Sequence, residues 1–236
     1  MATSPGISYF EVEKNIEIAV NDRRRISVLT WSVNTDIEQQ LDKIIDSILS
    51  THGNPELKAP VYTCIKELAI NGTKANQKRI FFEQQGLNMD DPGDYTRGLD
   101  LYKQSLNEHR AVELGQIARE RGLYVKISFD YDETGMCVRV RNNTPINPDE
   151  ETRLRQKLAR VVGYDDIVQF YMEQADETEG AGMGLALIIM LLKGAGIDPH
   201  YFRIGQTGEV TMAVLEVPFN ENFVSIRERF LAGKKA

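Results

Sequence analysis

Residues 60–78 read PVYTCIKELAINGTKANQK, and the periodicity of this stretch predicts a helix that opens on proline and carries two different faces. At about 100° per residue, Glu67, Asn71, Lys74 and Lys78 fall on one polar stripe. Val61, Cys64, Leu68, Gly72 and Ala75 form an apolar stripe about 100° further round the wheel. Such a helix packs on a sheet while holding a carboxylate, an amide and an ammonium at the edge of a cleft. A carboxylate that orients water, an amide oxygen for a hard cation and a lysine for phosphate suit Mg²⁺–nucleotide chemistry. A solvated helix face with an i,i+4 Glu–Asn pair is the plainer reading of the same residues.

Working outward, residues 26–33 (ISVLTWSV) are rich in β-branched side chains and read as a strand. Residues 36–49 repeat Ile37, Leu41, Ile44, Ile45 and Ile48 at helical spacing behind the cap residues Asn34, Thr35 and Asp36. Residues 84–96, with Gly86, Pro92 and Gly93 among acidic residues, read as a loop, and 97–121 as a mostly polar helix. Residues 124–131 and 136–141 alternate around Asp132-Glu-Thr-Gly135, a hairpin pattern. A turn-rich break follows at 142–148, then helical stretches at 150–162 and 165–174. An acidic, glycine-rich loop at 176–184 leads into a short helix at 185–193. Strands at 201–205 and 210–217 join through Gln206-Thr-Gly208, before a basic helical tail. The order predicts an α+β fold, a two-layer sandwich with helices on one face of a mostly antiparallel sheet.

The second unusual stretch is Gly180-Ala-Gly182-Met-Gly184-Leu-Ala-Leu187, which opens into an apolar helix. Glycines let backbone approach phosphate oxygens, and the N–H groups of a helix start favour negative charge. The spacing is neither that of the dinucleotide fingerprint nor that of the Walker loop. Together with the polar stripe, however, it resembles the histidine-kinase-like (GHKL, Bergerat-fold) ATPases. Glu67-Leu-Ala-Ile-Asn71-Gly-Thr-Lys74-Ala75 looks like that family's N-box, and Gly180 to Ile189 like its second glycine box. The resemblance covers roughly residues 26–217 and is specific at the two boxes. It implies an ATP-binding, Mg²⁺-dependent domain. Asn71 would hold Mg²⁺, Glu67 would act as base or orient water, Lys74 would meet phosphate, and Gly180, Gly182 and Gly184 would line the phosphate end.

Between the boxes the family carries Asp-x-Gly-x-Gly after a strand, its Asp accepting from the adenine amino group. Here Asn142-Asn-Thr-Pro-Ile146 stands there, so that Asn142 replaces the Asp, and Thr144 and Ile146 replace the glycines. Asn142 can accept from adenine, or flip and donate to a guanine oxygen. Sensor kinases of the family carry a phosphoacceptor histidine upstream, where this chain has only His52; His109 lies in an extra segment. The entry into the N-box is more like the anti-sigma-factor serine kinases, although these usually have a histidine where Lys74-Ala75 stands. The readings left open are phosphotransfer or ATP hydrolysis in signalling, a nucleotide-binding regulatory module without turnover, and a scaffold without nucleotide. A protein partner or a homodimer is expected. The domain division expected is an arm at 1–25, the nucleotide fold at 26–219 with a helical insertion at 82–122, and a tail at 220–236.

Composition sets bounds on this reading. Among 236 residues, 28 Lys and Arg against 35 Asp and Glu give a net charge of −7, which repels a nucleic-acid backbone. The longest apolar stretch, 183–192, is half what a membrane span needs. The first residues lack a basic and then apolar leader, so a cytoplasmic location is expected. Cys64 and Cys137, the only 2 cysteines, are too few for a disulfide framework or a zinc site.

Overall fold

The computed structural model describes residues 9–164 and 183–233. Strands β1 (Ile26–Thr30), β2 (Val125–Tyr131), β3 (Gly135–Asn142), β4 (Phe202–Thr207) and β5 (Val210–Pro218) form one sheet in the order β1-β2-β3-β5-β4. Every pairing is antiparallel. Helices α1 (Tyr9–Asn21), α2 (Thr35–Thr51) and α3 (Lys58–Gln84) precede or follow β1 in the chain. The further α-helices among the described residues are α4 (Pro92–Ser105), α5 (Glu108–Glu120), α6 (Pro148–Val162), α7 (Met183–Gly194) and α8 (Ile226–Gly233). The expected α+β two-layer sandwich is thus the fold.

Strand alternation explains the layering. Val125, Ile127 and Phe129 of β2 are fully buried, and register sets Phe129 opposite Val138 and Val138 opposite Leu215. These inward residues meet Leu41, Ile44 and Ile48 of α2, Ile65 and Leu68 of α3 and Ile188 and Leu192 of α7 in one core. Ile16 and Val20 of α1 join the same core from outside α2. On the outer face polar side chains meet: Arg139 of β3 and Arg25, just before β1, both pair with Asp130, and Arg203 pairs with the buried Glu216. The chain leading into α8 crosses this face, where the Ile226 amide donates to Glu216 Oε1 at 2.6 Å. Both cysteines are inert packing groups, burial pushing the Cys64 thiol up to about 12 and that of Cys137 up to about 11.

Several boundaries differ from the sequence reading. The N-box helix does not stop at Lys78 but runs 27 residues to Gln84, because Ile80, Phe81 and Phe82 are buried by the segment that follows. That segment is not a loop at 84–96 and one helix at 97–121. Asp91 caps α4 by accepting from the Asp94 amide at 2.8 Å, and Asn107 caps α5 by accepting from the Arg110 amide at 2.9 Å. Tyr102, Leu114 and Ala118 complete a second core with the end of α3. The expected loop at 176–184 also gives way at its end, where Met183 and Gly184 already belong to α7. The helix expected at 165–174 lies outside the described residues.

Gly98 shows how tightly the second core is built, since a Cβ there would stand 2.6 Å from Cε1 of the Phe82 ring. Alanine normally strengthens a helix over glycine by about 1 kcal/mol, but here the ring reverses the sign. Gly98→Ala is expected to destabilise the protein by about 1–3 kcal/mol, the usual range for overpacking, in urea unfolding. An unchanged or raised midpoint would refute this packing of α4.

Candidate functional site

Glu67 lies half-buried on α3, facing the first turn of α7. A Cβ placed on Gly184 would stand 2.5 Å from Glu67 Cδ and overlap the carboxylate oxygen. The carboxylate therefore rests on bare backbone at a helix start, where only glycine leaves room and where partial positive charge favours an anion. One turn earlier, Cys64 Sγ lies 3.9 Å from the Ile188 carbonyl, so α3 and α7 stay in contact along this edge. The two stretches that carry the family resemblance thus meet.

Asn142 is the second point of convergence. It ends β3 in phase with the inward-facing Met136, Val138 and Val140, which puts an amide on the helix side of the sheet. Its Nδ2 donates to the Gly72 carbonyl at 3.2 Å. A Cβ on Gly72 would stand 2.8 Å from a Val125 methyl, so the helix is close enough to the sheet for that bond. Asn142 Oδ1 is buried with no hydrogen-bond partner among the described residues. Thr144, two residues on, donates through Oγ1 to Asn76 Oδ1 at 3.0 Å, while its own carbonyl accepts from the Thr211 amide and hydroxyl at 3.1 and 2.8 Å. Asn76 Nδ2 is likewise buried without a partner among the described residues. Each such orphan costs about 1–3 kcal/mol if nothing satisfies it, and native proteins keep few of them.

Asn71 and Lys74 are exposed on α3, with no hydrogen bond or ion pair among the described residues. Lys78, on the same stripe, is not available: its ammonium pairs with Glu150 at the start of α6. Gly180 and Gly182 lie outside the described residues. His52 ends α2 with Nδ1 2.8 Å from the Ile48 carbonyl and its ring against Tyr131 and Phe219, the place of a packing residue. His109 is exposed on α5. No group of three or more His, Cys, Asp or Glu among the described residues could hold a metal. A single amide leaves most of a Mg²⁺ shell to phosphates and water, a common arrangement for that ion.

Sequence reasoning missed Gly72 as the partner of Asn142, Asn76 and Thr211 as the partners of Thr144, and Tyr95 and Glu150 as the brace beside them. Tyr95 of α4 donates to Glu150 Oε1 at 2.7 Å, and its ring lies 5.0 Å from the Arg153 guanidinium and 5.5 Å from the Lys78 ammonium. Asn147 reaches Asp90 at 3.0 Å, and Arg79 donates to the Pro145 carbonyl. The insertion and α3 together hold the chain from 142 to 150, the stretch where glycines were expected. The only advance signal was Asn142 itself, in phase with two inward valines.

No family model matches the sequence. A curated relative from Treponema pallidum (strain Nichols), named only as an uncharacterized protein, is 30% identical over 207 residues, covering 88% of this chain and 40% of its own length. The chain therefore spans well under half of that relative. Among solved structures, the SiaB–SiaC complex from Pseudomonas aeruginosa aligns over 91% of this chain and 99% of the matched chain, with 11% identity and a TM-score of 0.42. At that score no functional residue can be transferred. None of the described helices is long and apolar enough to cross a membrane.

Burial alone would raise the Glu150 carboxyl, but the Lys78 ammonium and the Tyr95 hydroxyl outweigh it and hold the group below the usual carboxylate range. A depressed folded value means stabilisation that is complete above the unfolded value and lost as pH falls through the folded one. Glu150→Gln is expected to cost about 1–3 kcal/mol at pH 7, the range for hydrogen bonds to charged groups. The gap to the parent protein closes as the pH drops from about 5 towards 2. Thermal unfolding across that range checks it, and a gap independent of pH would show that the pair does not stabilise the fold.

Proposed function

We propose that this chain is an ATP-binding domain of the histidine-kinase-like type, with its nucleotide between α3 and the first turn of α7. The observation that carries the reading is the seat of Glu67 on Gly184. It joins a carboxylate able to orient a nucleophile to a glycine-opened helix start able to receive phosphate. Asn142 adds to this, because its Nδ2–Gly72 bond fixes which end of the amide is offered. Flipping would set carbonyl against carbonyl. The offered end is therefore Oδ1, an acceptor suited to the adenine amino group, which favours adenine over guanine.

Bound Mg²⁺–ATP supplies an activated phosphoryl group. The chain's own residues divide the remaining work: Asn71 offers an amide oxygen to the cation, Lys74 offsets phosphate charge, and Glu67 holds water or an acceptor hydroxyl. With His52 packed between rings, transfer to water or to a partner's hydroxyl fits better than transfer to a histidine of this chain, which keeps hydrolysis and the serine-kinase alternative together. Phosphotransfer in signalling, with a protein partner, is the setting in which such a domain works.

Calorimetry with Mg²⁺ and ATP, alongside ADP release, tests the reading. Glu67→Ala should keep binding and lose ADP release by about 10²–10⁴-fold, the range for a lost acid–base group. Asn71→Ala should weaken binding only when Mg²⁺ is present. Gly184→Ala should fold normally, since the atoms it meets end a flexible side chain, yet lose turnover with the displaced Glu67. Tight binding without turnover in the parent protein would favour the regulatory module, and absence of nucleotide binding would overturn the assignment.

A further inference from the structure

We propose that Asn76 is a second base-reading residue, donating from Nδ2 to a ring nitrogen of the purine whose exocyclic amino group donates to Asn142 Oδ1. The inference rests on the nucleotide reading above and adds to it a specificity determinant absent from the N-box pattern. Its basis is a matched pair of half-used amides. Asn142 spends its donor end on the Gly72 carbonyl and keeps its acceptor end unbonded. Asn76 spends its acceptor end on the Thr144 hydroxyl and keeps its donor end unbonded.

The two are held from the same pair of segments. Gly72 and Asn76 are four residues, about one turn, apart on α3, about 6 Å along the axis, and Asn142 and Thr144 are two residues apart on the chain leaving β3. The bonds Asn142–Gly72 and Thr144–Asn76 are therefore neighbouring rungs between the same two segments. Thr211 steadies the second rung, its amide and hydroxyl both donating to the Thr144 carbonyl. One free acceptor and one free donor result, each fixed by the bond at the other end of its own amide. Adenine offers the complement, an amino donor beside a ring-nitrogen acceptor. Neither atom has as much as 1 Å² exposed, so the base enters by displacing a covering side chain, while the anchored arms keep the free ends in place.

The plainer outcome is that the two amides bond to each other, directly or through a water, and read nothing. Binding to the full chain separates the cases, with ATP, GTP and base-free tripolyphosphate as probes in the presence of Mg²⁺. Asn76→Ala is expected to lower ATP affinity about tenfold, leave tripolyphosphate unchanged and narrow the preference for ATP over GTP. Asn76→Asp replaces the donor by an acceptor and is expected to reduce ATP binding further, while GTP, with two adjacent donors on its base edge, loses less. In ¹⁵N-edited spectra the Asn76 side-chain amide protons should move downfield when adenosine is added. If the parent protein binds ATP and Asn76→Ala changes neither affinity nor preference, Asn76 only pairs with Thr144 and the inference fails alone. If the parent protein binds none of the three probes, the nucleotide reading fails first and takes this one with it.

Discussion

Helix α3 approaches the sheet so closely at Gly72 that a methyl group there would stand 2.8 Å from Val125, and the arrangement of the site follows from that distance. With any larger residue the helix would stand off, and the Gly72 carbonyl would move away from the Asn142 amide it now accepts from. Gly72 sits in the apolar stripe for this reason. A glycine inside a helix sacrifices roughly 1 kcal/mol of propensity, and here it gains contact between helix and sheet. Gly184 repeats the device at the other edge of α3, with a carboxylate in the vacated space in place of a valine. One helix thereby brings together residues from the end of β3 and the start of α7.

The same helix is also the bridge between two cores. Its first half belongs to the main sandwich through Val61, Ile65 and Leu68, and its last turns to the insertion's core through Ile80, Phe81 and Phe82. Between the halves lie Thr73, Asn76 and Gln77, all buried and all polar. Gln77 donates to the Ala111 carbonyl at 3.2 Å, and Tyr102 donates to Gln77 at 3.4 Å. The polar middle of α3 is thus where the two cores and the chain leaving β3 come together. An insertion that covers this junction and braces α6 through Tyr95 and Glu150 is built into the site's wall, so a change in the insertion would be felt at Asn142.

Legibility in the sequence followed the range of the interaction. The hairpin of β2 and β3, the cap of α2 and the apolar faces of α2 and α3 depend on neighbours in the chain, and period and turn residues revealed them. The end of α3 did not show, because the burial of Phe81 and Phe82 depends on Leu87, Tyr102 and Leu114 further along. The split into α4 and α5 is marked by Asp91 and Asn107, both ordinary cap residues, but the glycines and acidic residues around Asp91 suit a loop equally well. At the site, Glu67, Asn71 and Lys74 were visible as a stripe because helical geometry alone aligns them. Asn76 was not, since nothing local indicates that a threonine beyond the sheet would take one end of its amide and leave the other. The capture of Lys78 by Glu150 belongs to the same kind: two ordinary surface residues until the fold pairs them.

That pairing decides which cation on α3 is left for an anion. Lys58 meets Asp42 and Asp46 at 3.1 Å, Lys66 meets Glu38 at 2.8 Å, and Lys78 is taken by Glu150. Arg79 is held by the Pro145 carbonyl. Lys74 has no ion pair among the described residues and is exposed, one turn from Asn71. A net charge of −7 supplies no net long-range attraction for a phosphate, so an anion bound here would depend on short-range groups. A helix start opened by glycine and an ammonium with no ion pair among the described residues are groups of that kind, and each acts only over a few ångströms. Selectivity for a nucleotide would then rest on fit at the base and at the phosphate end together, and not on the field of the whole molecule.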